Sequence, residues 1–258
     1  MRTENILKRV GFSIGLAVVI AAALGSKANA QTQQPSIGPS FFGVAFTDCV
    51  ESIGVTLAPT ASVRAYVPEQ FILAGDGQPV TPLVVRTAQC AGIATADQKP
   101  KPGEIVQIGA VIIPPDFTGD INNYTIWYYT SDAKLAVQLR QAGVDARHVP
   151  TIDYNHADDG FFNVHVPKPG IPQFDLLGTV QPSADPAGSF LANWWQQTPA
   201  GIIKMATNVP LINIGGANLT LTTEPASLLG QLIGGSSTGF PIIQQFNTFS
   251  AAQMEVSR

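Results

Sequence analysis

One lysine in this chain lies where an amine could do chemistry. Lys204 falls within the apolar run GIIKMAT, and strand alternation places it on one face with Ile202 and Ala206, opposite Ile203 and Met205. Apolar neighbours remove water from the side chain and favour the neutral amine, which attacks carbonyl carbons. The alternative is a lysine whose stem covers apolar neighbours while its ammonium faces solvent. Lys204 is therefore a candidate catalytic residue.

Three more charged residues, Arg64, Arg86 and Glu104, lie within strand-like runs rather than in turns. Arg86 stands among valines in the middle of a predicted strand. There it could pair with Glu104 inside a barrel or bind the carboxylate of a ligand. A purely structural ion pair at a barrel end is the alternative. We treat all three as candidate binding residues.

Large aromatic residues supply a second set of binding candidates. Trp127 lies in the strand-like run NYTIWYYT, and Trp194 and Trp195 are adjacent in FLANWWQQT. Such side chains could line an apolar pocket. Aromatic residues at strand spacing also commonly form plain core, and the sequence leaves both alternatives open.

Metal and cofactor chemistry finds no support in the motifs. The sequence contains no phosphate-binding glycine loop, no HExxH, no CxxC and no Gly-x-Ser-x-Gly. His148, His156 and His165 could meet around a hairpin, but a zinc site needs three ligands that converge with ordered partners. We predict neither a metal nor a cofactor.

The first thirty residues resemble an export signal. Lys8 and Arg9 precede an apolar run over residues 10–24, and Ala28 and Ala30 offer small residues for cleavage. The run is shorter than the roughly 18 residues of a membrane span. We therefore predict a signal peptide over residues 1–30 and an exported protein, periplasmic or secreted. A retained N-terminal anchor is the alternative.

Charge excludes two classes of partner. The leader holds four of the 14 basic and one of the 18 acidic residues, which leaves 10 basic against 17 acidic and a net charge of −7. An acidic surface disfavours nucleic acid and anionic membranes. We expect a small-molecule ligand, no nucleic acid and no membrane partner after leader cleavage, with a homo-oligomer left open.

Two cysteines remain in the chain, Cys49 and Cys90. In an exported protein exactly two cysteines usually form one disulfide. Two buried free thiols are the alternative.

The remaining pattern predicts a single mainly β domain. Residues 31–40 form a polar, proline-bearing, flexible lead-in, and no linker divides residues 41–258. About ten short strands and two helices are expected, one from Ser131 or Asp132 to Gly143 and one over residues 225–233. This arrangement favours a closed antiparallel β-barrel with two short helices, which can enclose a cavity.

Several of these segments together resemble the acetoacetate decarboxylase-like superfamily. The likeness lies in VRAYVPEQFILAGDGQPVTPLVVRTAQC (63–90), EIVQIGAVIIPP, YTIWYYT, the helix SDAKLAVQLRQAGV and the region near residues 231–256. It covers most of the chain after the leader and looks closest to a secreted branch of the superfamily.

The resemblance implies a cone-like antiparallel β-barrel with a ligand cavity, usually in an oligomer. In the decarboxylases an adjacent Lys-Lys pair supplies a Schiff-base amine and the cation that lowers its pKa. This chain contains no Lys-Lys pair, and Arg147 and His148 stand where that pair would be sought. The resemblance therefore implies the fold without the decarboxylase activity, and Lys204 is not a matched position.

Three functions follow as hypotheses. The first is an exported β-barrel that binds a small apolar or carbonyl-containing molecule without converting it. The second is a lyase or decarboxylase-type enzyme that uses Lys204 or the Arg86 and Glu104 pair. The third is a non-catalytic structural subunit.

Overall fold

The computed structural model describes residues 40–95, 98–167 and 172–258. The predicted signal peptide (1–30) and all but the last residue of the predicted lead-in (31–40) lie outside the described residues. The described residues all fall within one compact unit. In these ranges, no helix is both long enough and apolar enough to cross a membrane.

Strands dominate the described chain. They are β1 (Ser40–Pro59), β2 (Val80–Thr95), β3 (Lys101–Val111), β4 (Ile121–Thr130), β5 (Ala146–His148), β6 (Asp153–His156), β7 (Phe161–Val166), β8 (Phe174–Gln181), β9 (Pro186–Thr198), β10 (Gly201–Thr222), β11 (Ser237–Gly239) and β12 (Ile243–Ser257). The helices are α1 (Thr60–Arg64), α2 (Ala133–Ala142) and α3 (Leu228–Ile233).

Seven strands close on themselves. Their order is β12-β1-β2-β3-β4-β9-β10, and a further pairing between β10 and β12 completes the ring. Each neighbouring pair is antiparallel except β4 with β9, which is parallel. From the far end of β10 the sheet continues outward through β8, β7 and β6. The mainly β, closed-barrel prediction is confirmed, with one parallel pair in the closure.

Strands β2, β3 and β4 are mostly buried on both faces, which explains their long apolar runs. One cluster of buried side chains, typified by Val84, Tyr128 and Met205, includes Leu135 and Leu139 of α2. A second cluster unites the opposite faces of the same strands with residues of α1, α3 and the β6–β8 extension. The core therefore has two layers, separated by the wall of the ring.

Helix α2 forms as its local sequence predicts. The Asp132 side chain accepts a hydrogen bond from the Leu135 N–H at 2.7 Å and so caps the first turn. Gly143 ends the helix with a positive φ of 103°. The other predicted helix is shorter than expected, because Ser227 caps it and α3 begins only at Leu228.

Two predicted strand assignments change. Residues 60–64, expected in a strand-like run, form the short helix α1, because β1 ends at Pro59 and the chain must turn to reach β2. The sequence pattern predicts two strands at 201–207 and 211–223, but the structure has one strand, β10, whose pairing with β9 shifts register between Val209 and Ile212. Pairing with β9 and β12 is interrupted at this bulge and resumes by Asn213, so β10 continues as one strand.

The predicted disulfide is present. Cys49 of β1 and Cys90 of β2 lie directly opposite each other in the ladder, and their sulfurs are bonded. The pair fits an oxidising environment.

Removing this disulfide is expected to lower the free energy of unfolding by about 3–4 kcal/mol, because it closes a long loop in the unfolded chain. The two cysteines are 41 positions apart. Urea denaturation of a Cys49→Ala, Cys90→Ala variant beside the oxidised protein measures the difference. Equal midpoints and slopes would contradict the prediction.

Candidate active site

A small cavity lies inside the ring. Its lining comes from β1 and β2 on one side and from β4, β9 and β10 on the other, which places it within the lumen. The lining residues are Glu51, Ile53, Val84, Arg86, Ile121, Phe190, Ala192, Trp194, Thr207 and Val209. Its volume of about 20 Å³ is enough for one or two water molecules. The cavity is therefore narrow and mainly apolar, with one charged pair on its wall.

That charged pair is Glu51 and Arg86. The Arg86 Nε–H donates to Glu51 Oε2, and its Nη1–H donates to Gln107 Oε1. The Asn247 amide donates to the other Glu51 oxygen at 3.2 Å. The side chains of Arg86 and Glu51 are only 11% and 6% exposed. Removing these two charges from water costs desolvation energy. A buried charged pair on a cavity wall is therefore a candidate functional site.

The pair leaves hydrogen-bonding capacity unused. Among the described residues, Arg86 Nη2 has no partner, and neither do the buried Gln107 Nε2 and Asn247 Oδ1. On the cavity-facing side of β4, both side-chain polar atoms of Asn123 and the hydroxyl of Thr125 are likewise buried without a partner. Each such group costs about 1–3 kcal/mol. The interior of the ring around the Glu51–Arg86 pair is therefore polar, although Gln107, Asn123, Thr125 and Asn247 do not themselves line the cavity.

Tyr128 belongs to the same interior cluster. Burial raises the pKa of its hydroxyl, and the positive charge of Arg86 offsets part of that rise, while Asp132 adds to it. The hydroxyl is therefore a neutral hydrogen-bonding group at physiological pH and lies within electrostatic reach of Arg86.

Trp194 forms part of the cavity wall because β3 carries a glycine beneath it. A Cβ on Gly109 would lie 2.7 Å from the Trp194 ring and 2.3 Å from the Tyr124 carbonyl oxygen. No side chain fits there without displacing the backbone of β4. The indole therefore occupies space that a larger residue at position 109 would take.

Lys204, the predicted catalytic residue, lies on the opposite face of β10 from the cavity. Its neighbour Met205 belongs to the interior cluster, whereas the Lys204 ammonium donates to Asp116 Oδ2 at 2.7 Å and to Thr118 Oγ1 at 2.9 Å. The ammonium also lies 5.2 Å from the centre of the Trp195 ring. Lys204 is only 3% exposed. Its catalytic role stays a prediction that this geometry does not favour.

The Lys204–Asp116 pair makes stability depend on acidity. Burial alone would raise the pKa of Asp116, but hydrogen bonds from Lys204 and Thr118 outweigh burial and hold it below the ordinary value of 3.8. Because the folded-state pKa is the lower one, the stabilisation is complete above the unfolded value of about 3.9 and disappears as the pH falls through the folded value.

We therefore expect the stability difference between the native protein and Asp116→Asn to shrink as the pH falls below about 4. Urea denaturation of both proteins across the acidic range measures this. A difference that stays constant down to the acid limit would show that the carboxylate charge contributes nothing.

The other predicted charged residues are not brought together. Arg64 lies in α1, where its guanidinium donates to the carbonyls of Pro68 and Phe71 and pairs with Asp76 at 3.1 Å. Glu104 accepts a hydrogen bond from Gln89 at 3.4 Å and does not pair with Arg86. The hypothesis of an Arg86–Glu104 pair is therefore wrong, and Glu51 takes that place.

The tryptophans divide between the two layers. Trp194 lines the cavity. Trp127 packs edge-on against Tyr66, and Trp195 donates its Nε1–H to Asn122 Oδ1 at 2.9 Å. Trp127 and Trp195 both belong to the outer cluster, so the lining role predicted for them remains a prediction.

The site residues that sequence reasoning missed are Glu51, Gln107 and Asn247. Each is a polar residue inside an apolar strand, which is a signal available in the sequence. Their convergence on Arg86 depends on strand register, and the sequence does not specify that register.

The histidines do not converge. His165 pairs with Asp175 at 2.7 Å, His148 Nε2 lies 3.1 Å from the Ser131 carbonyl oxygen, and His156 packs against Phe246. Within the described ranges, no group of three or more His, Cys, Asp or Glu side chains is arranged to hold a metal ion.

A wider groove of about 390 Å³ lies where the β10–β12 pairing is interrupted. It is open to solvent, and Leu211, Thr248 and Phe249 are among its lining residues. Asp48 is its one charged lining residue among those described. The groove therefore lacks the paired charges that distinguish the ring cavity.

Comparison with solved structures identifies the fold. An acetoacetate decarboxylase superposes with a TM-score of 0.56 at 10% sequence identity, covering 88% of this chain and 93% of that one. MppR, an enduracididine biosynthesis enzyme, gives 0.53 at 10% identity, covering 90% and 97%. This chain has the acetoacetate decarboxylase-like fold. The resemblance noted in the sequence is confirmed at that level.

Other structures with this fold agree. An acetoacetate decarboxylase from Legionella pneumophila subsp. pneumophila str. Philadelphia 1 gives a TM-score of 0.53 at 9% identity, covering 92% of this chain and 93% of that one. An acetoacetate decarboxylase-like enzyme from Sphingomonas wittichii RW1 gives 0.51 at 12% identity, covering 89% and 97%. No family model and no curated protein sequence matches the chain.

The described lining of the ring cavity carries one pair of opposite charges. Among the described residues no lysine lines the ring cavity, and the sequence has no Lys-Lys pair. The charged cavity groups are a carboxylate and a guanidinium. This set can bind an anion and accept or donate a proton, but it cannot form a Schiff base.

Proposed function

We propose that this protein is a lyase-type enzyme that binds a small oxo-carboxylate inside the ring and moves a proton at the carbon beside its carbonyl. The observation that carries the proposal is the Glu51–Arg86 pair on the cavity wall. The fold adds support, because the named neighbours are enzymes and MppR has been solved with pyruvate bound.

Arg86 is the carboxylate-binding residue in this proposal. Its Nη2 is free of protein partners among the described residues, and a guanidinium binds carboxylates through charge-assisted hydrogen bonds. An incoming carboxylate competes with Glu51 for Arg86 and so frees a Glu51 oxygen to act as a base. Because the cavity as it stands holds only one or two water molecules, binding requires side-chain movement that widens it, beginning at the mouth, where Ile121 and Phe190 are only partly buried.

Glu51 then performs the proton transfer. Its carboxylate takes a proton from the carbon next to the ketone, the C–H electron pair forms the enolate, and the negative charge moves to the ketone oxygen. The remaining Arg86 N–H groups stabilise that oxygen. The protonated Glu51 returns the proton to carbon. Enolisation of this kind begins many eliminations and condensations, and it needs no amine and no co-reactant.

Exchange of the pyruvate methyl protons in D₂O tests the proposal. The native protein is expected to accelerate loss of the methyl proton signal in NMR spectra above the buffer rate, with saturation as pyruvate increases. Binding is measured separately by calorimetric titration. Saturable exchange supports the enzyme, whereas absence of both exchange and binding would show that the proposal is wrong.

A binding protein without turnover is the second candidate. The absence of a lysine from the lining of the ring cavity, as far as the structure describes it, favours this function. The Schiff-base chemistry of the decarboxylases has no nucleophile there. Saturable binding of pyruvate together with proton exchange at the buffer rate would identify a binding protein without turnover. The narrow cavity of such a protein selects small ligands.

We also propose that the protein acts outside the cytoplasm. Disulfides such as Cys49–Cys90 form and persist mainly in oxidising compartments, and the first thirty residues have the composition of an export signal. Cell fractionation with a C-terminal tag tests this proposal. Recovery of the uncut chain from the cytoplasm would contradict it.

A further inference from the structure

Residues 114–120, here called the mouth loop, carry an exposed aromatic residue in a strained backbone conformation. Phe117 is 87% exposed and has a φ of +59°. A bulky residue rarely adopts positive φ, and such strain persists only when the surroundings hold the flanking residues firmly. The contacts of the two neighbours of Phe117 therefore identify what holds the loop.

Both neighbours are anchored from β10. Lys204 donates to the Asp116 carboxylate at 2.7 Å and to the Thr118 hydroxyl at 2.9 Å. The Thr118 carbonyl oxygen also accepts from the side-chain amides of Asn122 at 2.8 Å and Asn193 at 2.9 Å. A single buried ammonium thus holds the residues on both sides of Phe117.

The same loop is joined to the mouth of the ring cavity. The Asp120 N–H donates to the Leu191 carbonyl oxygen at 2.9 Å, and the Leu191 N–H donates to Asp120 Oδ2 at 2.7 Å. The next residue after Asp120 is Ile121, and the residue before Leu191 is Phe190. Among the apolar residues that line the cavity, Ile121 and Phe190 are the two that are only partly buried, and they form the mouth identified above.

We propose that Lys204 is a positioning residue that fixes the mouth loop and, through the Asp120–Leu191 contact, sets the separation of Ile121 and Phe190 at the cavity mouth. Lys204 thereby selects ligands by size without touching them. The selection part rests on the proposed function, whereas the anchoring part concerns the loop alone. A positioning role is compatible with the location of Lys204 on the face of β10 that does not reach the cavity.

Loss of the ammonium removes two anchors at once. In Lys204→Met the stem is kept, but Asp116 loses its charge partner and Thr118 loses a donor. The loop then has two fewer attachments to β10, and Phe117 can relax from positive φ. The expected consequence is a wider and more variable mouth, with Glu51 and Arg86 unmoved on the other side of the lumen.

Hydrogen exchange measured by mass spectrometry tests the anchoring without any ligand. Lys204→Met is expected to raise the exchange rate of peptides covering residues 113–121 and 188–192 about tenfold, with little change in β2 and β3. Asp116→Asn, a gentler variant, is expected to change the same peptides in the same direction. Unchanged protection of these peptides in both variants would overturn the anchoring.

Ligand size tests the selection. Pyruvate and the bulkier, branched 3-methyl-2-oxobutanoate are compared by proton exchange in the native protein and the variants. The native protein is expected to prefer pyruvate. In Lys204→Met, KM for the branched acid is expected to fall relative to that for pyruvate by about tenfold, with kcat for pyruvate nearly unchanged. An unchanged KM ratio beside a lower melting temperature would show a merely structural lysine.

Matched variants separate anchoring from general destabilisation. Thr118→Ser keeps the hydroxyl and should behave as the native protein, whereas Thr118→Val should shift the KM ratio in the same direction as Lys204→Met. Asp76→Asn, which breaks the ion pair of another loop, should leave the ratio unchanged. If the native protein neither binds nor exchanges pyruvate, the proposed function and the selection role both fail, while hydrogen exchange still decides the anchoring.

Discussion

Replacement of Arg86 by methionine is expected to lower the free energy of unfolding by about 3–5 kcal/mol, because Glu51 then stays buried without its charge partner. The Glu51 side chain is 6% exposed and would keep only the Asn247 amide as a donor among the residues described. Urea denaturation at neutral pH, followed by tryptophan fluorescence, measures the loss.

A double variant separates the charge effect from lost packing. In Glu51→Leu, Arg86→Met the uncompensated charge is gone, so this protein should be more stable than Arg86→Met alone. Recovery should be incomplete, because Gln107 and Asn247 lose hydrogen-bond partners inside the ring. If Arg86→Met alone were as stable as the native protein, the Glu51–Arg86 pair would have to be well hydrated in solution.

The second large effect is expected on activity. Glu51→Gln should reduce proton exchange of pyruvate by about 10²–10⁴-fold, because the amide keeps the shape of the side chain but cannot accept a proton from carbon. Pyruvate binding should persist, since Arg86 remains on the cavity wall. Exchange rates by NMR and affinities by calorimetry are measured below the melting temperature of the variant.

Glu255→Gln is the control for that experiment. Glu255 is an exposed carboxyl on β12, a strand of the same ring, and its loss should leave exchange unchanged. Arg86→Lys should weaken pyruvate binding more than Glu51→Gln does, because an ammonium lacks the planar fork of the guanidinium. Exchange by Glu51→Gln within a few-fold of the native rate would exclude Glu51 as the base.

Much of the local structure was predictable because it depends on neighbours in the chain. The capping side chain of Asp132 and the positive φ of Gly143 set the ends of α2 within a few residues. The helix α1 was missed, because TASVR has no strong helical signal, and the turn after Pro59 is imposed by the distance to β2.

The candidate site was predictable only in part. Arg86 stood out as a charge among valines, yet its partner was misassigned. In the ladder Glu104 lies opposite Gln89, three positions from Arg86 and thus on the other face of β2. Glu51 lies on β1, where Arg86 stands opposite Ile53, two positions along on the same face.

The sequence by itself determined the mainly β class, the single disulfide pairing, the capped helix α2 and the family resemblance, because composition, two cysteines and local capping carry that information. Only the tertiary structure decided which strand faces line the lumen. Since β10 is buried on both faces at Ile203, Lys204 and Met205, the apolar pattern there does not distinguish Met205 from Lys204. Closure of the ring through the β10–β12 pairing determines which strand faces line the lumen. Arg86 and Glu51 face inward, whereas Lys204 faces the mouth loop.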